Sequence, residues 1–322
     1  MAGDEVIELR LDIRRRRLNN HGMSISNPAP GPGGMPHILI DHPDASGEIF
    51  LQGAHLASWQ PKGQRPVIYM SPLSKFAPGV APRGGVPICF PWFGPKADDA
   101  SAPAHGFART REWQLIDSSQ AADAATTHFR LTQGGVPSPH WQHPFTADLV
   151  LSLGKSLEMI FTVRNDGVEA FTFEAALHTY FAVSDVRTIV VGGLSGTDYI
   201  AKTSNYERRT DEAPVVTFTG ETDRVYQNTD ATCTIEDPAW NRQITVAKSG
   251  SRSTVVWNPF PAKAATFKDL GEANWPNFVC IETANAGENA VKLLAGQTHE
   301  MRVNINVLAH GAGADLKIQS GD

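Results

Sequence analysis

From Pro36 onward, apolar and polar residues alternate with a period of two in short runs separated by turn residues, the pattern of strands with one buried face. HILI is followed by the turn DHPDASG, then EIFLQG, AHLASW and the turn PKGQRP. In FTADLVLSL, Phe145, Ala147, Leu149, Leu151 and Leu153 occupy alternate positions, and after Gly154-Lys155 so do Leu157, Met159, Phe161 and Val163. That pairing predicts a β-hairpin. The turn Asn165-Asp166-Gly167 leads into FTFEAALHTYFAV, read as one strand with Phe171, Phe173, Ala175, Leu177, Thr179 and Phe181 on one face. Glu174, Ala176, His178 and Tyr180 fall on the other, so His178 points away from the oily side. Later come TCTIE, the turn DPAWNR, QITVA and STVVWNPF. FVCI, Phe278 to Ile281, is apolar on both faces and predicts a central strand ended by Glu282. In HEMRVNINVLAH, Met301, Val303, Ile305 and Val307 alternate again. Helical patterning is confined to one turn over residues 266–271. Many short strands with little helix predict an all-β fold, a large sandwich of antiparallel sheets.

Composition agrees: charged residues make up only 19% of the 322, and 28 Gly and 22 Pro suit a turn-rich chain. The stretch up to about residue 35 ends in NPAPGPGGM, which predicts a flexible N-terminal arm over 1–35. A single catalytic domain is expected over 36–315, with a C-terminal tail over 316–322. The net charge of −6 argues against nucleic acid as a partner. Arg14 to Arg17 is the one basic run, read as a solvated segment of the arm. Cys89, Cys233 and Cys280 are widely separated and form no CxxC, so they read as buried apolar residues of a reducing compartment. No metal-ligand spacing, no membrane-length apolar run and no signal-peptide core is present, which predicts a cytoplasmic protein without metal, cofactor or membrane partner, monomeric or weakly dimeric.

Against that background a few residues carry chemistry. A carboxylate at Glu282, beside a doubly apolar strand, is costly unless paired or used; partial desolvation would make it a general base, whereas the plain alternative is a strand end in solvent. His178 can exchange a proton near neutrality, or else sit satisfied by a backbone carbonyl. Two loops bear arginines. Arg83 opens RGGVPICFPWFG, and Arg109 closes HGFAR four residues after His105. A guanidinium matches a phosphate in two-point contact; the alternative is a pairing with a nearby acid, such as Arg109 with Glu112. Asp223, in ETDRVY, is either a ligand of a hydroxyl or half of a salt bridge, and Trp257 either a sugar platform or core.

The segments RGGVPICFPWFG, HGFARTREW, EAALHTYFAVSDV, TDRVY, VVWNPF and FVCIETAN, in this order, resemble those of the glucose-6-phosphate 1-epimerases, the hexose-6-phosphate mutarotases of the aldose 1-epimerase superfamily. The resemblance covers roughly residues 36 to 310 and implies a β-sandwich like that of galactose mutarotase. It implies His178 as catalytic acid, Glu282 as catalytic base, His105 and Asp223 as ligands of sugar hydroxyls, and Arg83 and Arg109 as phosphate contacts. Gly84-Gly85 would then leave steric room for the ligand. The reaction implied is interconversion of the α and β anomers of a hexose 6-phosphate, which needs no metal, nucleotide or redox group. An epimerase of unphosphorylated aldoses, a carbohydrate-binding protein and a sandwich glycosidase are the alternatives. The arginine loops argue against the first and the joint presence of His178 and Glu282 against the second; for the third only Glu282 and Asp223 offer themselves as flanking carboxylates, and the resemblance favours the mutarotase.

Overall fold

The computed structural model of the chain describes residues 24–133 and 138–309. The predicted alternation becomes two large antiparallel sheets over one continuous core. The nine-stranded sheet contains the hairpin Phe145–Gly154 and Leu157–Asn165, extended by Ala124–Thr132 and Gln114–Gln120 on one side and by Thr298–Ala309 and Arg242–Ser249 on the other. Phe145, Ala147, Leu149, Leu151 and Leu153 are all buried, as are Leu157, Met159, Phe161 and Val163. Burying each large apolar side chain stabilises the fold by about 1.5–3 kcal/mol. The register, with Leu153 opposite Leu157, keeps both rows on the core face.

The eight-stranded sheet carries the chemistry. Its order is Glu207–Asp211, Thr197–Ala201, Thr222–Tyr226, Ser253–Asn258, Phe278–Asn285, then Ala175–Leu177 and Tyr180–Ala182 on the same edge, and Ile88–Cys89. A smaller sheet of residues 24–61 and a two-stranded ribbon, Phe171–Phe173 with Val291–Leu293, complete the fold.

Four sequence expectations change. The segment 171–183 is three short strands rather than one. Glu174 leaves the ladder because its backbone N–H donates to Pro91 O while its carboxylate accepts from the N–H groups of Phe93 and Gly287. His178 leaves it because its N–H donates to Pro87 O, and both faces are buried from Ala175 to Val183. Glu282 does not end its strand, which runs on to Asn285 with every residue buried. The short helix is Phe260–Ala264; residues 266–271 follow it as hydrogen-bonded turns. Finally, residues 24–35 are not an arm. Ser24 and Ile25 pair with Asp41 and Ile40, Ala29 and Pro30 with His37 and Pro36, and Met35 is buried. Proline cannot donate to a ladder but is tolerated on such an edge. Residues 1–23, with Arg14 to Arg17, and 316–322 lie outside the described residues.

Candidate active site

Strand register builds the floor of the site. Leu177 stands opposite Thr283 and Tyr180 opposite Cys280, which puts His178 opposite Glu282 on the same face. Directly opposed side chains on an antiparallel pair are neighbours, and His178 Nδ1 lies 3.3 Å from Glu282 Oε1. A second row runs beside the first: Asp223 opposite Trp257, Trp257 opposite Cys280, Cys280 opposite Tyr180. Glu282 is only 1% exposed and His178 8%. The Tyr180 ring stacks on His178 with centroids 4.9 Å apart, and Trp257 meets both rings edge-on at 5.9 Å.

Two loops form the wall above this floor. Residues 90–94 and 105–109 are stitched together: Phe107 and Ala108 N–H donate to Phe90 O, and His105 N–H donates to Gly94 O. Gly94 N–H donates in turn to His105 Nδ1 at 3.2 Å, so the ring proton of neutral His105 sits on Nε2, ready to donate to a ligand oxygen. His105 holds this place with a φ of 66°, a left-handed conformation costly for a non-glycine residue. Its ring is 5.9 Å from that of His178.

Arg83 lies beside Tyr180. Its Nη1 donates to Tyr180 Oη at 3.3 Å, its Nε is 3.2 Å from Asp269 Oδ1, and the guanidinium covers the Phe267 ring at 4.6 Å. The glycines that follow do a different job from the one their position in the sequence suggests. Gly84 and Gly85 have φ of 109° and 68°; a Cβ on Gly84 would lie 2.5 Å from Tyr69 O, and one on Gly85 2.2 Å from His55 Nε2. They let the loop press onto the chain beneath it, and the space they provide goes to the backbone of residues 69–71 and the His55 ring rather than to a ligand. Arg109 Nη2 donates to Ala104 O at 2.7 Å rather than to Glu112.

The structure therefore gathers His178, Glu282, His105, Asp223, Arg83 and Arg109 around one site, and adds three residues that sequence reasoning left out. Lys202 forms an ion pair with Asp223, Nζ to Oδ2 3.0 Å. Asp269 holds Arg83 from a loop with no motif of its own. Tyr180 shared the His178 face in the alternation, which was its signal in the sequence. Buried polar atoms normally find partners; here His178 Nδ1, Glu282 Oε2, Asp223 Oδ1, Arg83 Nε and Arg109 Nε all lack a well-aligned hydrogen bond. Such a concentration of unmet donors and acceptors is what a polar ligand would satisfy.

Burial governs the charges. It pushes the Glu282 carboxyl well above the ordinary carboxylate range, with Asp223 acting in the same sense and Lys202 and Arg109 against it. Burial also pushes His178 well below the ordinary imidazole value, helped by the positive charges of Arg109, Arg83 and Lys202. Burial thus biases the pair toward a neutral imidazole and a protonated carboxyl, and the cations around it outnumber Asp223 and Asp269. The surroundings favour an anionic ligand.

Buried histidines also set a pH dependence. Burial pushes His55 down to about 3, and burial with nearby Arg109, Lys202 and Arg83 does the same to His105. In the unfolded chain these groups titrate near about 6.5. As pH falls through that value the unfolded state takes up protons that the folded state refuses, and stability is lost. Glu282 opposes this, its contribution being present at low pH and lost as pH rises, but it is one group against His55, His105 and His178. Thermal melts will give a lower melting temperature at pH 5.5 than at pH 7.5; a flat or inverted series would contradict neutral burial of these rings.

Comparison with known proteins bears on the family and the fold. A family model described as aldose 1-epimerase matches residues 36–306. A protein of Escherichia coli K12, provisionally named a glucose-6-phosphate 1-epimerase, is 39% identical over 251 residues, covering 78% of this chain and 83% of that protein. The crystal structure of a Salmonella typhimurium protein, provisionally a mutarotase, matches with a TM-score of 0.83 at 32% identity, over 91% of this chain and 96% of that one. A galactose mutarotase-like protein from Lactobacillus casei, 17% identical with a TM-score of 0.66, shares the fold over 84% of this chain and all of its own.

Proposed function

The chain belongs to the aldose 1-epimerase family, and from that premise we propose that it interconverts the α and β anomers of a hexose 6-phosphate, glucose 6-phosphate being the expected substrate. The observation that carries this reading is the His178–Glu282 pair, set side by side on one face among neighbours of excess positive charge.

The hexose ring presents two oxygens on its anomeric carbon, the ring oxygen O5 and the hydroxyl O1. Glu282 as carboxylate takes the O1 proton; His178 as imidazolium gives a proton to O5; the C1–O5 bond breaks and the C1–O1 bond becomes the aldehyde. Glu282 is then protonated and His178 neutral. Rotation about C1–C2 exposes the other face of the carbonyl. O5 adds back to C1, returning its proton to His178 while Glu282 returns its own to O1. One proton shared by the pair accounts for every step. The form that burial favours, acid Glu282 with neutral His178, is the form that accompanies the open-chain aldehyde. Buried surroundings thereby lower the energy of the intermediate relative to the same aldehyde with a charged pair around it. In this reading His105, through Nε2–H, and Asp223, through Oδ1, hold sugar hydroxyls, and Arg83 and Arg109 hold the phosphate, whose binding energy orients the reacting carbon.

Exchange spectroscopy on glucose 6-phosphate tests the whole reading. Catalytic amounts of the protein will raise the α/β exchange rate well above the spontaneous one, with less acceleration of free glucose at equal concentration. No acceleration of the phosphorylated sugar would end the proposal, and equal acceleration of both would favour an aldose epimerase without phosphate selectivity.

A further inference from the structure

Lys202 belongs to none of the segments that carry the family resemblance, yet it reaches the centre of the site. It opens the short turn Lys202–Ser204 that follows the strand Thr197–Ala201. Ala201 stands opposite Arg224, and one step further along that register places Lys202 opposite Asp223. Besides its contact with Asp223, the ammonium lies 5.4 Å from the centroid of Phe93, a ring of the opposite wall that in turn meets His105 edge-on at 5.0 Å. One side chain thus spans from the floor of the site to its wall. It occupies Asp223 Oδ2 and leaves Oδ1, buried and without a partner, as the oxygen free to meet a ligand.

We propose that Lys202 is a positioning residue of this site: its ammonium fixes Asp223 in its ligand-facing orientation and supplies the positive field in which Glu282 acts as a base. The inference rests on the roles proposed above for Glu282 and Asp223. Glu282 has three kinds of charged or titratable neighbour. His178 faces it from the adjacent edge, the Tyr180 phenol and the Cys280 and Cys89 thiols are buried and neutral, and Asp223, Lys202 and Arg109 bring charge. Asp223 disfavours ionisation of Glu282, and Lys202, its ion-pair partner, is the foremost of the two cations that favour it. Lys263 adds its positive charge on the Asp223 side. Removing the ammonium therefore acts twice in one direction, by withdrawing a cation and by leaving the Asp223 carboxylate unopposed beside a second carboxyl. Arginine at this position would keep the charge with a different reach and geometry.

The test uses the full chain as Lys202→Met and Lys202→Arg, with carbon-13 in the glutamate side-chain carboxyls and Glu282→Gln to assign the Glu282 signal. In Lys202→Met the Glu282 carboxyl will titrate at higher pH than in the wild type. Its kcat at neutral pH will fall roughly ten- to hundred-fold, the size expected for misplaced reacting groups, and the acid limb of the pH–rate profile will move to higher pH. Lys202→Arg will restore most of each. Asp223→Asn, which keeps the cation and removes its partner, will move the Glu282 titration the opposite way, and it decides the matter if Lys202→Met does not fold. A Glu282 signal that titrates as in the wild type in the methionine variant, or that moves upward or not at all in the asparagine variant, overturns the inference. Because the carboxyl titration does not depend on turnover, a wild type inactive on sugar phosphates would count against the proposed function while the signal still ruled on Lys202.

Discussion

Glu282→Gln will reduce α/β exchange of glucose 6-phosphate by about 10³-fold, within the 10²–10⁴ typical of a lost proton transfer, while leaving the fold intact. Glutamine has the shape of the protonated acid that burial favours at this position, so the sheet has no reason to rearrange. It cannot accept the O1 proton, so C1–O5 cleavage loses its base. Stability supplies an independent reading. A buried carboxyl whose titration is raised in the folded state stabilises the protein at low pH and ceases to do so as pH rises, because the unfolded chain can then ionise while the folded one resists. The glutamine variant escapes that loss. Relative to the wild type, its melting temperature will therefore rise as pH goes from 5 to 8. Exchange measurements and melts on the same samples check both halves: activity near that of the wild type removes Glu282 from the mechanism, and a melting difference independent of pH removes the assignment of its protonation state.

Arg83→Ala will raise KM for glucose 6-phosphate by roughly ten- to hundred-fold, as expected for losing a charged hydrogen bond of about 1.5–3 kcal/mol, and will change KM for free glucose little. The reasoning is that Arg83 is held by Tyr180 and Asp269 before substrate arrives, over the flat ring of Phe267, so that its fork is already oriented. An incoming phosphate meets a guanidinium whose single carboxylate partner is in distance for an ion pair but poorly aligned for a hydrogen bond, and it can add to that pairing or replace it. Coupled assays on both sugars separate the possibilities. Equal changes in the two KM values would mean that Arg83 shapes the site without reading the phosphate, and Arg109 would become the first place to look for that contact.

What could be read in advance, and what could not, follows from how local each cause is. The hairpin Phe145–Gly154 and Leu157–Asn165 was legible because alternation, turn and burial all sit within one stretch of chain. The segment 171–183 was not, because its breaks come from Pro91, Phe93, Pro87 and Gly287, distant partners whose backbone groups compete for the ladder. Glu282 was misplaced to a strand end for a related reason: a charged residue reads as a boundary unless one knows that Lys202, Arg109 and His178 await it. Residues 24–35 looked unfit for structure because Pro and Gly are poor in strands generally, yet an edge strand asks less of them. The six candidate site residues were visible through motifs, and the structure brings them together. Lys202 and Asp269 carried no signal, since each matters only through a partner in another part of the chain.

The opposition of His178 and Glu282 is set by hydrogen bonds between strands more than a hundred residues apart in sequence. No fragment holding only one of those strands contains a rudimentary version of the reacting pair. The strand Phe278–Asn285 lies between Ser253–Asn258 and the Ala175–Ala182 edge, so it must insert at the middle of a sheet whose other members precede it in the chain. Contacts of such long range carry a costly closure of the intervening chain. Catalytic competence thus depends on this one insertion being complete.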